Sequence, residues 1–544
     1  MAIEADHCDV AIVGTGAGGG IIAHRLAKAG LKVVSLEQGG RLPDDYFSET
    51  APPGAKLDFG IGPSTVWPAD PHDSLFVHPL FADGAHGATP RPADGFRHFQ
   101  ILKLNGLQNL WNGVSVRFCE ADFAGWPFGY DHLADDYSQV ERLITVCGTK
   151  EGIAELPDGE FIPPKPLRPA DTMIVNAVKS LREPFSHAIP NRKAIITTPG
   201  LANSCISTGI CTSGCPVGAV YKFSARLLPE IAGLDNYELR TNAKVTRVLR
   251  EPGAETVSGV EYIDTKTGER RRLEARFVVL AAGAIETPRI LFNSADDADP
   301  AGLANRTDRV GQGLQDNPKS VLSTSLLKLW GHKRTYDIGY GDLLILMSRG
   351  KLPDGSDFPF IGHAIHGLPD VPHYLSGFAG FPPAVKIRMA RMMFHSYVTL
   401  GLFCAGEARP ENRIRPGSTT DSDGVPQVTI DFTTPPAARE QMASMLKWGR
   451  KILRKASATK IYESIDNNGT GIHYAGTTAI SDDPSAGVVD RDLRCHGLDN
   501  LYVCDGGVIP NLPDKHLTLS IMALSNRLGR HLEERVQSET KVAA

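Results

Sequence analysis

The chain has 544 residues, of which 42% are hydrophobic and 22% are charged, and its 57 Lys and Arg against 62 Asp and Glu give a net charge of −5. These values are ordinary for a globular protein of roughly two or three domains, and they exclude a general binder of nucleic acids. The sequence contains no apolar run of the about 18 residues that a membrane helix needs, and its first residues show no export signal.

The first predicted elements are a strand, a glycine-rich turn and a helix. Cys8 to Val13 has the composition of a buried strand, residues 14–20 read GTGAGGG, and Ile21 to Ala29 has helical spacing. Glycines in such a turn remove side chains that would block a pyrophosphate, and the helix N-terminus faces the phosphates. A second strand, Leu31 to Leu36, leads to Glu37, which can accept a hydrogen bond from a ribose hydroxyl. The pattern predicts a dinucleotide site and leaves NAD and FAD both open.

The following elements are predicted from periodicity and turn residues. Residues 41–100 are rich in Pro, Gly, Asp and His and are interpreted as a long excursion over the surface that covers the cofactor. Helices are predicted over 171–183 and 437–455, and strands over Glu238 to Val248, Thr256 to Ile263 and Arg271 to Leu280. The last strand continues into a glycine turn and a helix, which would approach the dinucleotide from another side.

Several separate motifs, spread from residue 14 to residue 524, together resemble one known protein family. They are GTGAGGG at 14–20 with Glu37, LNGLQNLWNG at 104–113, AGAIETP at 282–288, VGQGLQDNP at 310–318, ENR at 411–413, and the tail from His473 to Leu524. In this order they resemble the glucose-methanol-choline (GMC) family of FAD oxidoreductases. The resemblance implies FAD, bound by an α/β Rossmann-like domain that is interleaved with an α+β substrate domain built on an antiparallel sheet. The FAD-binding part is expected over 1–60, 195–325 and 475–544, and the cap and substrate-binding part over 61–194 and 326–474.

The resemblance also assigns flavin contacts and sets limits on them. The implied contacts are Gly14, Gly16, Ala17, Gly18, Gly19, Glu37, Gln38, Gly106, Asn109, Thr246, Ala282, Gly283, Asp505, Gly506, His516 and Thr518. Some members attach the flavin to a histidine directly before the tryptophan of the second motif, but this chain has Leu110 before Trp111. A histidyl–flavin bond is therefore excluded there. Asn105 stands where the family usually has a glycine.

Two histidines of the tail fall on the catalytic positions of the family. Oxidising an alcohol requires the hydroxyl proton to leave while a hydride moves from the same carbon to the flavin, and neutral imidazole accepts a proton near pH 7. The resemblance makes His473 the general base and His516 the partner that hydrogen-bonds the reacting oxygen and positions it.

Three cysteines lie close together in a loop of small residues. Cys205, Cys211 and Cys215 fall within eleven residues, and Pro216 follows the third. Short spacings of this kind hold Fe–S clusters, and three thiols suggest a 3Fe–4S centre. The spacing resembles the cluster loop, here residues 203–218, of bacterial FAD and Fe–S sugar dehydrogenases. The alternatives are a zinc site, one disulfide with a spare thiol, or inert cysteines; the other six cysteines are interpreted as structural.

Together with these features, the resemblance implies the catalytic subunit of a sugar dehydrogenase, and the sugar substrate is part of what the resemblance implies. A pyranose or glycoside hydroxyl would be oxidised, with carbon 3 of glucosides favoured because His516 stands where the glucose dehydrogenase pattern has Asn. Electrons would pass from FAD through the cluster to an acceptor such as a cytochrome c, which must be a separate chain because this one has no C-x-x-C-H motif.

The resemblance implies a small partner subunit that carries the export signal and takes the enzyme to the periplasm; a cytoplasmic location is the alternative. The other functions considered are an FAD oxidase that uses oxygen, an FAD glucose 1-dehydrogenase, and a non-catalytic flavoprotein.

Overall fold

A computed structural model describes residues 6–42, 82–83, 88–90, 96–182, 186–201, 203–207, 211, 215, 217–332, 343–365, 380–393, 396–465 and 470–543. Within them the strands, numbered β1 to β21 in chain order, are Asp6–Val13, Val33–Glu37, Ala82–Asp83, Ala88–Pro90, Arg97–Gln100, Val146–Cys147, Ser186–Pro190, Lys193–Ala194, Tyr237–Thr241, Ala243–Leu249, Gly259–Asp264, Arg270–Leu280, Lys319–Ser325, Leu343–Lys351, Asp357–Ile365, Tyr397–Cys404, Arg413–Thr420, Pro426–Asp431, Tyr462–Ile465, Thr470–Gly471 and Leu501–Val503.

The α-helices of the same residues, numbered α1 to α9, are Ala17–Lys28, Ala134–Ile144, Pro169–Leu181, Phe223–Arg226, Leu228–Ile231, Glu286–Asn293, Pro383–Met393, Pro436–Lys455 and Thr518–Ala543. Short 3₁₀ helices span Gly106–Leu110, Glu120–Phe123, Tyr130–His132, Leu327–Leu329 and Gly506–Val508. No helix in the described part of the chain is both long and apolar enough to cross a bilayer.

The first sheet has seven strands and contains the glycine-rich turn. Its order is β10-β11-β12-β1-β2-β9, and β21 pairs with β12. The pairs β12–β1, β1–β2, β2–β9 and β12–β21 are parallel, while the pairs β10–β11 and β11–β12 are antiparallel. The strands β2 and β21 and the last four residues of β1 and β12 are buried on both faces, which explains their continuous apolar runs, whereas the edge strand β9 is largely not buried. This arrangement confirms the predicted Rossmann-like fold.

One predicted strand is wrong. The segment Glu238 to Val248 forms two strands, β9 and β10, which lie at opposite ends of the path through the sheet. They are separated by Asn242, whose φ of 58° is in the left-handed region. Asn adopts that conformation more readily than most residues, so the chain turns there instead of continuing the strand.

The second sheet is antiparallel and has the order β19-β13-β16-β15-β14-β7. Helices α3 and α8 cover one of its faces, where Leu400 and Leu402 of β16 join their core. Because successive residues of a strand lie on alternate faces, Gly401 and Phe403 lie on the opposite face, which borders a cavity. The sheet confirms the predicted antiparallel substrate domain.

The predicted domain boundaries differ from the strand pairing at one place. The strand β13, which the boundary at 325 assigns to the FAD-binding part, pairs with β16 and β19 of the second sheet. The predicted surface excursion over 41–100 lies mostly outside the described residues. The other boundaries stay a prediction.

Candidate active site

The turn between β1 and α1 is built by close backbone contacts. Gly14 has a φ of +97°, and a Cβ on Gly18 would lie 2.0 Å from the Cys504 carbonyl oxygen. A Cβ on Gly19 would lie 1.9 Å from the Gly14 carbonyl oxygen. Gly16 differs, because a Cβ there would meet no protein atom within 4 Å. The turn therefore needs three of its glycines for its own packing, whereas Gly16 leaves open space beside the helix N-terminus.

Glu37 ends β2 next to this turn. Its carboxylate accepts hydrogen bonds from the Thr15 hydroxyl at 2.6 Å, the Thr15 amide at 3.2 Å and the Gly39 amide at 3.1 Å. Burial raises the pKa of the Glu37 carboxyl, and these hydrogen bonds oppose the rise. Glu37 thus links the second strand to the turn at the position where a ribose hydroxyl is expected.

A cavity of about 370 Å³ connects the glycine turn with the second sheet. This volume lies in the range of roughly 300–1,000 Å³ that is typical of small-molecule and cofactor sites. The predicted contacts that line it are Gly14, Gly16, Ala17, Gly18, Glu37, Gln38, Gly106, Ala282, Gly283, Asp505, Gly506, His516 and Thr518. The open space at Gly16, the acid at Glu37 and a lining that continues from the glycine turn to His516 fit a bound FAD.

Three predicted contacts do not line the cavity. Gly19 packs inside the turn, and the Asn109 side chain donates hydrogen bonds to the carbonyls of Leu104 and Gly106, so it holds the loop that borders the cavity. The Thr246 hydroxyl donates to the Glu261 carbonyl within the first sheet. Its neighbour Val245 lines the cavity instead, because alternate residues of a strand face opposite sides.

Asp505 joins two segments of the cavity wall. Its buried carboxylate accepts hydrogen bonds from the Gly283 amide at 2.9 Å, the Thr287 hydroxyl at 2.6 Å and the Gly507 amide at 2.8 Å. Burial raises the pKa of Asp505 against these donors. The residue therefore holds the turn after β12 against the segment that leads to the predicted catalytic histidines.

His473 and His516 meet at the end of the cavity that the second sheet closes. Both side chains are buried, and their ring centroids lie 4.6 Å apart. His473 Nδ1 lies 3.0 Å from Asn317 Oδ1, and the His473 amide donates to Asp316 Oδ1 at 3.0 Å. Phe403 packs against both rings. The structure thus brings together the two histidines that the sequence placed 43 positions apart.

Burial and a nearby cation keep both imidazoles neutral. Burial lowers the pKa of His473 well below 6.5, and the charges of His516 and Lys319 act in the same direction. For His516, burial and then the Lys319 charge lower the pKa to about 3. A neutral imidazole has one nitrogen that can accept a proton, so the pair can perform base chemistry at neutral pH.

A third histidine lies in the same place and was missed by the sequence analysis. His363 of β15 is 2% exposed, and its ring centroid lies 4.6 Å from that of His516. Its Nδ1 lies 3.1 Å from the Asn191 side-chain nitrogen, and its Nε2 has no hydrogen-bond partner among the described residues. The alternation of β15, in which Phe360 and Ala364 face the helices, is the only sequence signal that could have placed it there.

The three clustered cysteines pack together but do not form a ligand set as they stand. Cys205 and Cys215 pack against a small apolar cluster that includes Cys211 and Val220. The amides of Ser207 and Ala219 donate to the sulfurs of Cys205 and Cys215 at 3.4 and 3.2 Å. Over the part of the chain that the structure describes, no three His, Cys, Asp or Glu side chains are arranged to hold a metal ion. Residues 208–210, 212–214 and 216 of the loop lie outside that part.

Comparison with known proteins finds matches to GMC oxidoreductases. Models described as GMC oxidoreductase match residues 194–319 and 408–525, and an NAD(P)-binding Rossmann-like domain matches 12–78. Paromamine 6'-oxidase from Streptomyces fradiae is 29% identical over 96% of this chain and 90% of its own length. Fructose dehydrogenase large subunit from Gluconobacter japonicus is 24% identical over 97% of this chain and 98% of its own length. C-glycoside 3-oxidase from Microbacterium trichothecenolyticum is 29% identical over 56% of each chain.

Solved structures show the same fold. Formate oxidase from Aspergillus oryzae superposes with a TM-score of 0.67 at 15% identity, covering 99% of this chain and 100% of the other.

Proposed function

Because this chain belongs to the GMC oxidoreductase family and is an FAD-dependent oxidoreductase acting on CH–OH groups, we propose that it oxidises a ring hydroxyl of a pyranose or glycoside to a carbonyl. The observation that carries the proposal is the pair of buried, neutral imidazoles of His473 and His516 at the end of the cavity whose lining fits FAD. Relatives named for a paromamine, fructose and a C-glycoside support the substrate class.

His473 and His516 would have different roles, proton transfer for the first and positioning of the substrate for the second. His473 takes the hydroxyl proton, and His516 hydrogen-bonds the same oxygen while the carbonyl forms. Bound FAD supplies the acceptor for the hydride that leaves the carbon. Phe403 and the second sheet exclude water from this end of the cavity, which strengthens the electrostatic interactions there.

The proposed base predicts a pH profile. A base loses activity as the pH falls through its pKa, since the imidazole then already carries a proton. The pKa of His473 is lowered well below 6.5 by burial, so the rate of flavin reduction should not fall until the pH drops below about 6.5. Stopped-flow reduction by substrate from pH 8 to pH 5 measures the midpoint of this limb. A midpoint well above 6.5 would show that His473 is not a desolvated base.

For the carbon attacked, we propose carbon 3 of a glucoside, with glucose 1-dehydrogenase activity as the alternative. The relative named C-glycoside 3-oxidase supports this choice. A methyl glucoside has no free anomeric hydroxyl, so its oxidation distinguishes the two reactions. Activity on glucose alone would contradict oxidation at carbon 3.

For the electron route, we propose a dehydrogenase in which Cys205, Cys211 and Cys215 hold a 3Fe–4S cluster. The sulfurs gather on one apolar cluster, and two of them already accept backbone amide hydrogens, as cluster sulfurs commonly do. The loop is near the cavity: Val220 of that cluster precedes Tyr221, whose ring is 6.5 Å from that of the cavity residue Trp111. Such a cluster would carry electrons one at a time away from the flavin.

Iron analysis tests the cluster directly. The purified protein should contain about three iron atoms per chain and give an electron paramagnetic resonance signal when oxidised. Cys211→Ser should remove both, whereas Cys495→Ser, at a buried cysteine outside the loop, should leave them. Absence of iron in protein isolated without oxygen would contradict the cluster.

The acceptor and the partner belong to the same proposal. We propose a separate cytochrome c as acceptor and a small subunit that carries the chain to the periplasm; the relative named as a large subunit supports a partner. The competing function is an oxidase that reduces oxygen, which the relatives named oxidases favour. Hydrogen peroxide formed in proportion to product would establish the oxidase.

A further inference from the structure

The Asn317 side chain lies behind the His473 ring with its orientation fixed. Its Nδ2 donates to the carbonyls of Cys404 and Pro513, both at 2.8 Å. An amide nitrogen has two hydrogens and a carbonyl oxygen has none, so both hydrogens are used and the amide cannot rotate without losing two buried bonds. The atom that lies 3.0 Å from His473 Nδ1 is therefore Oδ1, an acceptor.

This orientation determines where His473 carries its proton. Asn317 Oδ1 cannot donate, so the bond exists only when His473 Nδ1 holds the hydrogen. A neutral imidazole has a single ring proton, which leaves a lone pair on Nε2. We propose that Asn317 is a positioning residue that keeps the proton of His473 on Nδ1, so that Nε2 is always ready to accept the substrate proton. The inference rests on the proposed function, in which His473 is the base.

The backbone around Asn317 supports the same geometry. The preceding residue, Asp316, accepts from the His473 amide at 3.0 Å, and Lys319 donates to the Asn317 carbonyl at 2.8 Å and pairs with Asp316. One short segment before β13 thus holds both the backbone and the ring of His473. The ionisable groups that face this ring are His516, His363 and Lys319 from three other strands and loops, with Asp316 at its backbone.

Two substitutions separate the accepting oxygen from the volume of the side chain. Asn317→Leu removes the acceptor and should lower the limiting rate of flavin reduction by about 10²-fold, with a smaller change in KM. Without its hydrogen bond to Asn317, the His473 imidazole spends part of its time in the tautomer that cannot accept a proton on Nε2. Asn317→Asp keeps the Oδ1 acceptor, replaces the donating Nδ2 by an oxygen that faces the carbonyls of Cys404 and Pro513, and adds a negative charge when ionised. It should retain more activity than Asn317→Leu and move the acidic limb of the pH profile up by roughly one unit or more.

Asn500 provides a matched control. Its side chain is also buried, donates to the carbonyls of Val257 and Arg276 at 2.8 and 2.7 Å, and accepts from the Val257 amide. Asn500→Leu should cost similar stability and leave the pH profile and the rate per bound flavin unchanged. If both Leu variants slow flavin reduction equally, or if Asn317→Asp and Asn317→Leu share one pH profile, Asn317 has only a structural role and the inference is wrong.

A measurement without substrate separates the inference from the proposed function. In holoenzyme labelled with ¹⁵N-histidine, solid-state NMR distinguishes protonated from unprotonated ring nitrogens, and His473→Gln identifies the His473 signals. We expect Nδ1 protonated and Nε2 unprotonated at pH 7, with this pattern lost in Asn317→Leu. The opposite tautomer in the wild type would overturn the inference. The expected tautomer in an enzyme that no hydroxyl substrate reduces would instead overturn the proposed function.

Discussion

His473→Ala should lower the rate of flavin reduction by substrate about 10²- to 10⁴-fold, because removing a general base costs on this scale. The imidazole is the group that takes the hydroxyl proton, and its neutral form is secured by burial in the cavity. Stopped-flow absorbance, normalised to bound flavin, measures the effect.

His24 provides the control for this substitution. Its ring is also buried and pairs with Glu230 at 3.0 Å, on a helix face that does not line the cavity. His24→Ala should change the rate of flavin reduction by less than about 3-fold, within the range of ordinary packing effects on an active site. Equal losses in the two variants, or full activity of His473→Ala, would exclude His473 as the base and favour a non-catalytic flavoprotein.

Gly16→Ala should yield a folded protein that has lost most of its FAD. The new methyl group meets no protein atom within 4 Å, and the φ of −71° at Gly16 suits alanine. The same methyl occupies the space where the dinucleotide approaches the turn. We expect flavin content to fall at least about 10-fold, a cost of roughly 1.4 kcal/mol or more in binding. Absorbance of released flavin per chain, with circular dichroism for the fold, measures it.

Two other glycines make this result specific. A Cβ on Gly233 would also meet no protein atom within 4 Å, but Gly233 does not line the cavity, so Gly233→Ala should keep full flavin content. At Gly19 a Cβ would lie 1.9 Å from the Gly14 carbonyl oxygen, so Gly19→Ala should impair folding itself. Normal flavin content in Gly16→Ala would mean that the pyrophosphate does not pass Gly16.

The sequence predicted the first sheet and the cofactor end of the site well, for a physical reason. The glycines and Glu37 belong to one local strand–turn–helix–strand unit, so their spacing along the chain already encodes their arrangement in space. The same holds for β12 and its following turn, whose apolar run and glycine are adjacent in sequence. The split at Asn242 was missed because a single left-handed residue leaves little trace in hydrophobic periodicity.

The catalytic end of the site was only partly predictable. His473 and His516 were found through a family resemblance. Asn317 lies in the segment before β13 and His363 lies in β15, and both are more than 100 residues from His473 and from His516 along the chain. Their contacts depend on strand pairing and alternation in the antiparallel sheet, which sequence spacing does not reveal. The cluster site at Cys205, Cys211 and Cys215 stays a prediction, because no three potential ligands are arranged to hold a metal ion in the described residues.

In the proposed reaction, a sugar carbon that bears a hydroxyl would give its hydride to FAD while His473 takes the hydroxyl proton. The most direct test is an anaerobic absorbance titration of the purified holoenzyme with glucose and with a methyl glucoside. We expect at least one sugar to bleach the flavin stoichiometrically, and the methyl glucoside to do so if carbon 3 is attacked. A flavin that stays oxidised with a wide panel of pyranoses and glycosides, yet is bleached by a simple alcohol, would show that this enzyme does not oxidise sugars.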